Sequence, residues 1–275
     1  MLAVPDGPLV GTAWLGEHLD HPGLRVVDCR WYLRPFDDRC GDDEYRAGHI
    51  PGAVHIRWDT DLADPDRPAS MLAPAARFAA AVGRAGIGDD TFVVAYDDQH
   101  VPVAARVWWS LRAFGHDRVA VLDGGITAWR AEGRPVRSGV EQPSPAQFTA
   151  RFRPELYATK EQVLAVATDP GAARLVDARM DAAWDAAGGH IPGATRLAGL
   201  GFLGDGGRWL AAEDVRRRID RAVATDRPVI TYCGGGVAAA GTALAFRLAG
   251  LGDVAVYDGS WTEWTLDPTT PRASH

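Results

Sequence analysis

Short apolar runs that end in Asp, Tyr or Leu recur along this chain, separated by stretches in which apolar residues return every three or four positions. Leu24–Asp28, Phe92–Tyr96 and Val119–Leu122 are β-rich and predict strands; Ala104–Phe114 and Ile126–Glu132 predict helices. The second half repeats the scheme, with strands over Arg174–Asp177, Val229–Tyr232 and Val254–Tyr257. Its helices are expected over Glu213–Ala222, Val237–Ala249 and Ser260–Trp264. Continuous apolar strands alternating with helices predict an α/β fold: a mostly parallel sheet flanked by helices. Sites in such sheets lie at the carboxyl ends of the strands.

The halves match in detail. Val26-Val27-Asp28-Cys29-Arg30 recurs as Leu175-Val176-Asp177-Ala178-Arg179, and Gly48-His49-Ile50-Pro51-Gly52-Ala53 as Gly189-His190-Ile191-Pro192-Gly193-Ala194. Val93-Val94-Ala95-Tyr96-Asp97 matches Val229-Ile230-Thr231-Tyr232-Cys233. Val121-Leu122-Asp123-Gly124-Gly125 with Trp129 matches Val256-Tyr257-Asp258-Gly259-Ser260 with Trp264. Four blocks in one order mark a tandem duplication, and the spacing is too long for a solenoid. The first domain is expected over 1–137 and the second over 155–275. Residues 138–154, rich in Pro, Ser and Gly, are expected to be the linker.

The 275 residues are 47% apolar and 24% charged, as in a soluble globular chain, and the net charge of −7 argues against nucleic acid as a partner. No apolar run nears the roughly 20 residues that cross a bilayer, so no membrane partner is expected. The first eleven residues carry Asp6 and no basic region, unlike a signal peptide. The three cysteines, Cys29, Cys40 and Cys233, include no CxxC pair. That set suggests neither a disulfide framework nor a metal site, and it fits a reducing, cytoplasmic setting.

Cys233 carries the candidate chemistry. It follows a predicted strand and precedes Gly234-Gly235-Gly236 and a predicted helix. The N–H groups of such a turn and the positive end of the helix dipole favour negative charge on the sulfur. Glycines allow those N–H groups to converge, because no Cβ intervenes. A P-loop is excluded, since Gly234–Gly241 holds no lysine. A dinucleotide fingerprint is met only by the variant Gly234, Gly236, Ala239, late in the chain and with no acidic residue at the right distance. A cysteine phosphatase needs arginine six positions after the cysteine, to clamp phosphate; that position is Ala239. Sulfur transfer needs only a nucleophile and N–H groups to steady the transferred atom.

With these motifs the chain resembles the two-domain rhodanese family, the thiosulfate and 3-mercaptopyruvate sulfurtransferases. The likeness rests on Val-Asp-x-Arg ending at Arg30 and Arg179, Gly-His-Ile-Pro-Gly at Gly48 and Gly189, Val107-Trp108-Trp109, Leu122-Asp123-Gly124-Gly125 and Tyr257-Asp258-Gly259-Ser260-Trp261. The resemblance implies a sulfurtransferase in which Cys233 becomes a persulfide. The backbone of Gly234, Gly235, Gly236, Val237, Ala238 and Ala239 would hold the anion. It implies no organic cofactor, an anionic small-molecule donor, a thiol or cyanide acceptor, and a thioredoxin-like reductant as a further partner. The first domain would be silent, because Asp97 stands where Cys233 does. The rival reading is a non-catalytic sulfur carrier or regulatory binding protein. The neutral loop is closer to the mercaptopyruvate type than to the cationic thiosulfate type. The family's loop serine is Gly235 here, however, and its histidine before Met71-Leu72 is Ser70. The family's donor-holding arginines, shortly after Val-Asp-x-Arg, are absent from Met180–Ala187. Loss of one charge-assisted contact costs about 1.5–3 kcal/mol, which predicts weak turnover of both donors unless another group supplies the charge.

Asp177, Arg179 and Trp261 are candidates for the substrate rim, with a structural salt bridge the favoured role for Arg179. Trp264 is a core or pocket-wall residue. His49 and His190 recur in both copies and are expected to be structural. Cys29 is expected in the core, and Cys40, amid Asp37, Asp38, Asp42 and Asp43, on the surface as a poor nucleophile.

Overall fold

Five consecutive apolar or aromatic residues, Phe92–Tyr96, are all buried, as a strand covered on both faces requires. They form the centre of the first of two sheets in the computed structural model. It describes every residue except Met1, Ala3, Pro35, Phe36, Gln99, His100, Val101 and His275. The first copy runs β1 (Leu9–Val10), α1 (Thr12–His18), β2 (Leu24–Asp28), α2 (Gly41–Ala47), β3 (Val54–His55), α3 (Ala75–Arg84), β4 (Phe92–Tyr96), α4 (Val103–Ala113), β5 (Val119–Leu122) and α5 (Gly125–Ala131). Its five parallel strands lie in the order β1-β5-β4-β2-β3. The second copy runs β6 (Tyr157–Ala158), α6 (Lys160–Thr168), β7 (Arg174–Asp177), α7 (Asp181–Ala187), β8 (Ala194–Arg196), α8 (Ala212–Ala222), β9 (Val229–Tyr232), α9 (Val237–Leu248), β10 (Ala255–Tyr257) and α10 (Ser260–Leu266). Its order, β6-β10-β9-β7-β8, reproduces the first and is again parallel.

Every long strand expected from the sequence is present, though Val254 lies outside β10. The elements without a sequence signal are the short ones. β1, β3 and β6 have two residues each, too few to display an alternation. Met180–Ala187, read only for its missing cations, contains a seven-residue helix.

The compact units do not follow a single cut of the chain. One unit comprises residues 1–64, 72–152 and 203–209; the other comprises 65–71, 153–202 and 210–275. The stretch expected to be a linker is a strap on the first unit. Ala146 N–H donates to Gly83 O at 2.9 Å, Thr149 Oγ1 donates to Asp89 at 2.8 Å, and Phe148 is buried against Phe78 and His116.

Within each unit a buried ion pair ties the strand ends together. Arg30 Nη2 donates to Asp28 at 2.7 Å and to Gly48 O at 2.8 Å, and Tyr96 Oη donates to Asp28 at 2.7 Å. In the second copy Arg179 Nη2 donates to Asp177 at 2.6 Å and to Gly189 O at 2.9 Å. The hydroxyls of Tyr96 and Tyr232 accept from Ile50 N–H at 3.2 Å and Ile191 N–H at 3.1 Å. Burial, then the adjacent carboxylate, pushes both tyrosines well above the usual phenol range. Removing one partner strands a buried charge, which costs about 3–5 kcal/mol. Asp28→Ala is therefore expected to lower the stability of the first unfolding transition in urea by about that amount. A loss below about 1 kcal/mol would contradict this role.

Candidate functional site

β9 is buried along its whole length and delivers Cys233 to its carboxyl end, where α9 begins. Cys233 is only 3% exposed and is a free thiol. Gly236, the residue before α9, has φ +82° and ψ −8°, a left-handed conformation that glycine adopts at little cost. That turn aims the Gly236 N–H at the sulfur, and it donates to Cys233 Sγ at 3.1 Å. The donor and the helix dipole both stabilise negative charge at this point.

The glycines have unequal roles. The sequence suggested that all three keep Cβ atoms away from a converging backbone. A Cβ on Gly234 would meet nothing within 4 Å, and one on Gly235 would make an ordinary contact with Ala69 O at 3.7 Å. Only Gly236 needs the left-handed φ. Val237, Ala238 and Ala239 form the first turn of α9, with Val237 and Ala239 buried.

A second turn fixes Cys233 from the other side. Its N–H donates to Ser260 Oγ at 3.1 Å, and the Ser260 hydroxyl donates on to Tyr257 O at 2.8 Å. Its carbonyl accepts from Trp261 N–H at 2.9 Å, and Gly234 O accepts from Thr262 N–H at 3.1 Å. Ser260 is fully buried with φ +52°, a conformation that costs a non-glycine residue about 1–3 kcal/mol. Its counterpart in the first copy is Gly125, at φ +54°. The second copy thus keeps a hydroxyl where glycine would be relaxed. Sequence reasoning passed over Ser260; its place in the repeat opposite Gly125 was the available signal.

The same positions in the first unit are occupied differently. Asp97 O accepts from Ile126 N–H at 3.0 Å, as Cys233 O does from Trp261. The Asp97 carboxylate accepts the Ala104 N–H at 2.8 Å in the first turn of α4, so a built-in anion fills the place.

The candidate rim residues divide. Asp177 is fully buried and Arg179 is 3% exposed, the two bonded to each other as Asp28 and Arg30 are in the first copy. This is the structural salt bridge expected for Arg179, and it withdraws Asp177, a rim candidate in the sequence, into the interior. Trp261 is half-buried and stacks on Arg179 with the guanidinium 4.7 Å from its ring. Trp264 is in the core, its indole N–H donating to Pro271 O at 3.0 Å. His49 is buried and bonded through Nδ1 to Tyr45 O at 2.9 Å, and His190 stacks on Trp184, both structural settings. Cys29 is fully buried, and burial, reinforced by Asp28 and Asp97, pushes its thiol well up. Cys40 is exposed. Among the described residues no group of His, Cys, Asp and Glu could hold a metal ion, and no helix is long and apolar enough to cross a membrane.

The Rhodanese-like domain matches this chain twice, over residues 11–132 and 159–267. The chain belongs to the rhodanese family. It is 39% identical to thiosulfate sulfurtransferase of Cricetulus griseus, over 93% of this chain and 91% of that protein. It is 36% identical to 3-mercaptopyruvate sulfurtransferase of Homo sapiens, over 94% and 92%. It superposes on the crystal structure of SseA from Escherichia coli, a 3-mercaptopyruvate enzyme, with TM-score 0.86 and 32% identity, covering 93% of this chain and 99% of that one. The duplicated parallel sheets are this family's fold.

Two outcomes test the geometry. Gly236→Ala is expected to cost about 1–2 kcal/mol for its left-handed backbone and to slow alkylation at Cys233, followed by peptide mass mapping. Gly234→Ala should change neither, and equal effects from both would refute the distinction. Ser260→Ala leaves the buried Cys233 N–H without its acceptor and should cost about 1–3 kcal/mol in urea unfolding; an unchanged midpoint would show that this bond contributes nothing.

Proposed function

We propose that this rhodanese is a sulfurtransferase that moves a sulfane sulfur from an anionic donor, thiosulfate or 3-mercaptopyruvate, through a persulfide on Cys233. The observation that carries the reading is the Cys233 sulfur beneath the Gly236 N–H at the start of α9, in the one copy whose anion place is not filled by its own carboxylate. The relatives that are thiosulfate and 3-mercaptopyruvate sulfurtransferases support it.

The chemistry is a pair of displacements at sulfur. The Cys233 thiolate attacks the terminal sulfur of thiosulfate. A new S–S bond forms, the old one breaks, and sulfite leaves with its electron pair. With 3-mercaptopyruvate the C–S bond breaks instead, and the carbon fragment leaves as the enolate, which takes a proton to become pyruvate. A thiolate or cyanide then attacks the outer sulfur, and Cys233 departs as thiolate. Gly236 N–H and the first turn of α9 stabilise the negative sulfur at each stage. The cycle needs no metal and no organic cofactor. A thioredoxin-like thiol would serve as reductant. A cytoplasmic setting is supported by three free cysteines.

Cold cyanolysis after exposure to either donor tests the reading. Wild-type protein should release close to one thiocyanate per chain and Cys233→Ser none. A Cys233→Ser protein that loads as much labile sulfur as the wild type would overturn it.

A further inference from the structure

The loop around Cys233 contributes no positive side chain, yet a thiosulfate or 3-mercaptopyruvate donor is an anion. An arginine at the carboxyl edge of the second sheet is placed to meet that charge. Arg179 is at that edge but is buried and committed to Asp177 and Gly189 O. Arg67, in the segment that packs near Gly235 through Ala69, has a side chain 50% exposed but pairs at 3.3 Å with Glu263, a carboxylate only 16% exposed and so harder to displace. Arg196 differs. It ends β8, in register with Asp177, which is in register with Tyr232 next to Cys233. Two strand spacings put its backbone about 9–10 Å from that of Tyr232, within reach of an extended arginine and a small donor. Its side chain is 36% exposed, and its carboxylate partner, Asp181 of α7, is 83% exposed.

Arg196 also connects to the site through stacked groups. Its guanidinium lies 5.3 Å from the Trp184 ring, the Arg179 guanidinium lies 5.0 Å from the same ring and 4.7 Å from the Trp261 ring, and the Trp261 N–H donates to the Cys233 carbonyl. Trp184 keeps the guanidinium against this edge while leaving its N–H groups available. An ion pair with so exposed a partner is weak and exchangeable, unlike the buried pair of Arg179.

We propose that Arg196 is the residue that binds the donor's anionic group, and that Asp181 competes with the donor for it. The guanidinium exchanges the Asp181 carboxylate for the donor's carboxylate or sulfonate as the donor's sulfur meets Cys233. Arg196 thereby supplies the cation that the loop and α7 lack, and Asp181 sets how much donor is needed to engage it. This rests on the sulfurtransferase reading.

The test is steady-state kinetics with thiosulfate and with 3-mercaptopyruvate, alongside persulfide loading at saturating donor. Arg196→Gln should raise the KM for donor about tenfold or more, with Arg196→Lys in between. Asp181→Asn, which removes only the competitor, should lower the KM about two- to fivefold. That gain should vanish in the double variant. If both single variants keep the wild-type KM for both donors while Cys233 still loads sulfur, Arg196 does not bind the donor and the sulfurtransferase reading stands. A wild type that takes no sulfur from either donor at any concentration would sink both.

Discussion

Cys233 is pinned by its own peptide groups, and the site depends on that constraint. The β10–α10 turn supplies an acceptor for its N–H, Ser260 Oγ at 3.1 Å, and a donor for its carbonyl, Trp261 N–H at 2.9 Å. With both ends held, Cβ and Sγ have little freedom, and the Gly236 N–H can be set against the sulfur in advance. Preset donors act without reorganising when charge develops, which is where most of their value lies. The strained backbone at Ser260 is the local cost of this arrangement. It persists because the turn around it is over-determined by hydrogen bonds.

Duplication makes the logic visible, because one fold carries two answers to the same electrostatic question. A helix N-terminus at the end of a central strand attracts negative charge. The first copy answers with Asp97, whose carboxylate is consumed by the Ala104 N–H. The second answers with the sulfur of Cys233, which accepts the Gly236 N–H. The Asp–Arg–Tyr cluster is common to both, so it belongs to the fold. At this strand end the copies differ in Cys233 for Asp97 and in Ser260 for Gly125.

Much of this could be read from the residues. The buried strands Phe92–Tyr96 and Val229–Tyr232 announce themselves by unbroken apolar runs, and the repeated Val-Asp-x-Arg and Gly-His-Ile-Pro-Gly blocks give the duplication. Cys233 could be singled out because its position, between strand and glycines, is chemical in itself. Less was legible where meaning depends on position in space. The sequence leaves Arg179 between a salt bridge and substrate contact; its bonds to Asp177 and Gly189 O commit it to the first. The three loop glycines look alike, yet only the φ of Gly236 separates it from its neighbours. Arg196 carries no motif, and its proximity arises from strand register, which local pattern does not encode. Residues 65–71 and 203–209 could not be assigned to their units by sequence, since each joins elements far away in the chain.

The central claim is that one sulfur atom resides covalently on Cys233 during turnover. Intact mass spectrometry of the protein after brief exposure to excess thiosulfate or 3-mercaptopyruvate addresses it most directly. The account predicts a gain of one sulfur atom, located on the Cys233 peptide and lost on adding cyanide or a thiol. An unchanged mass with either donor, or a gain located on Cys29 or Cys40, would contradict it.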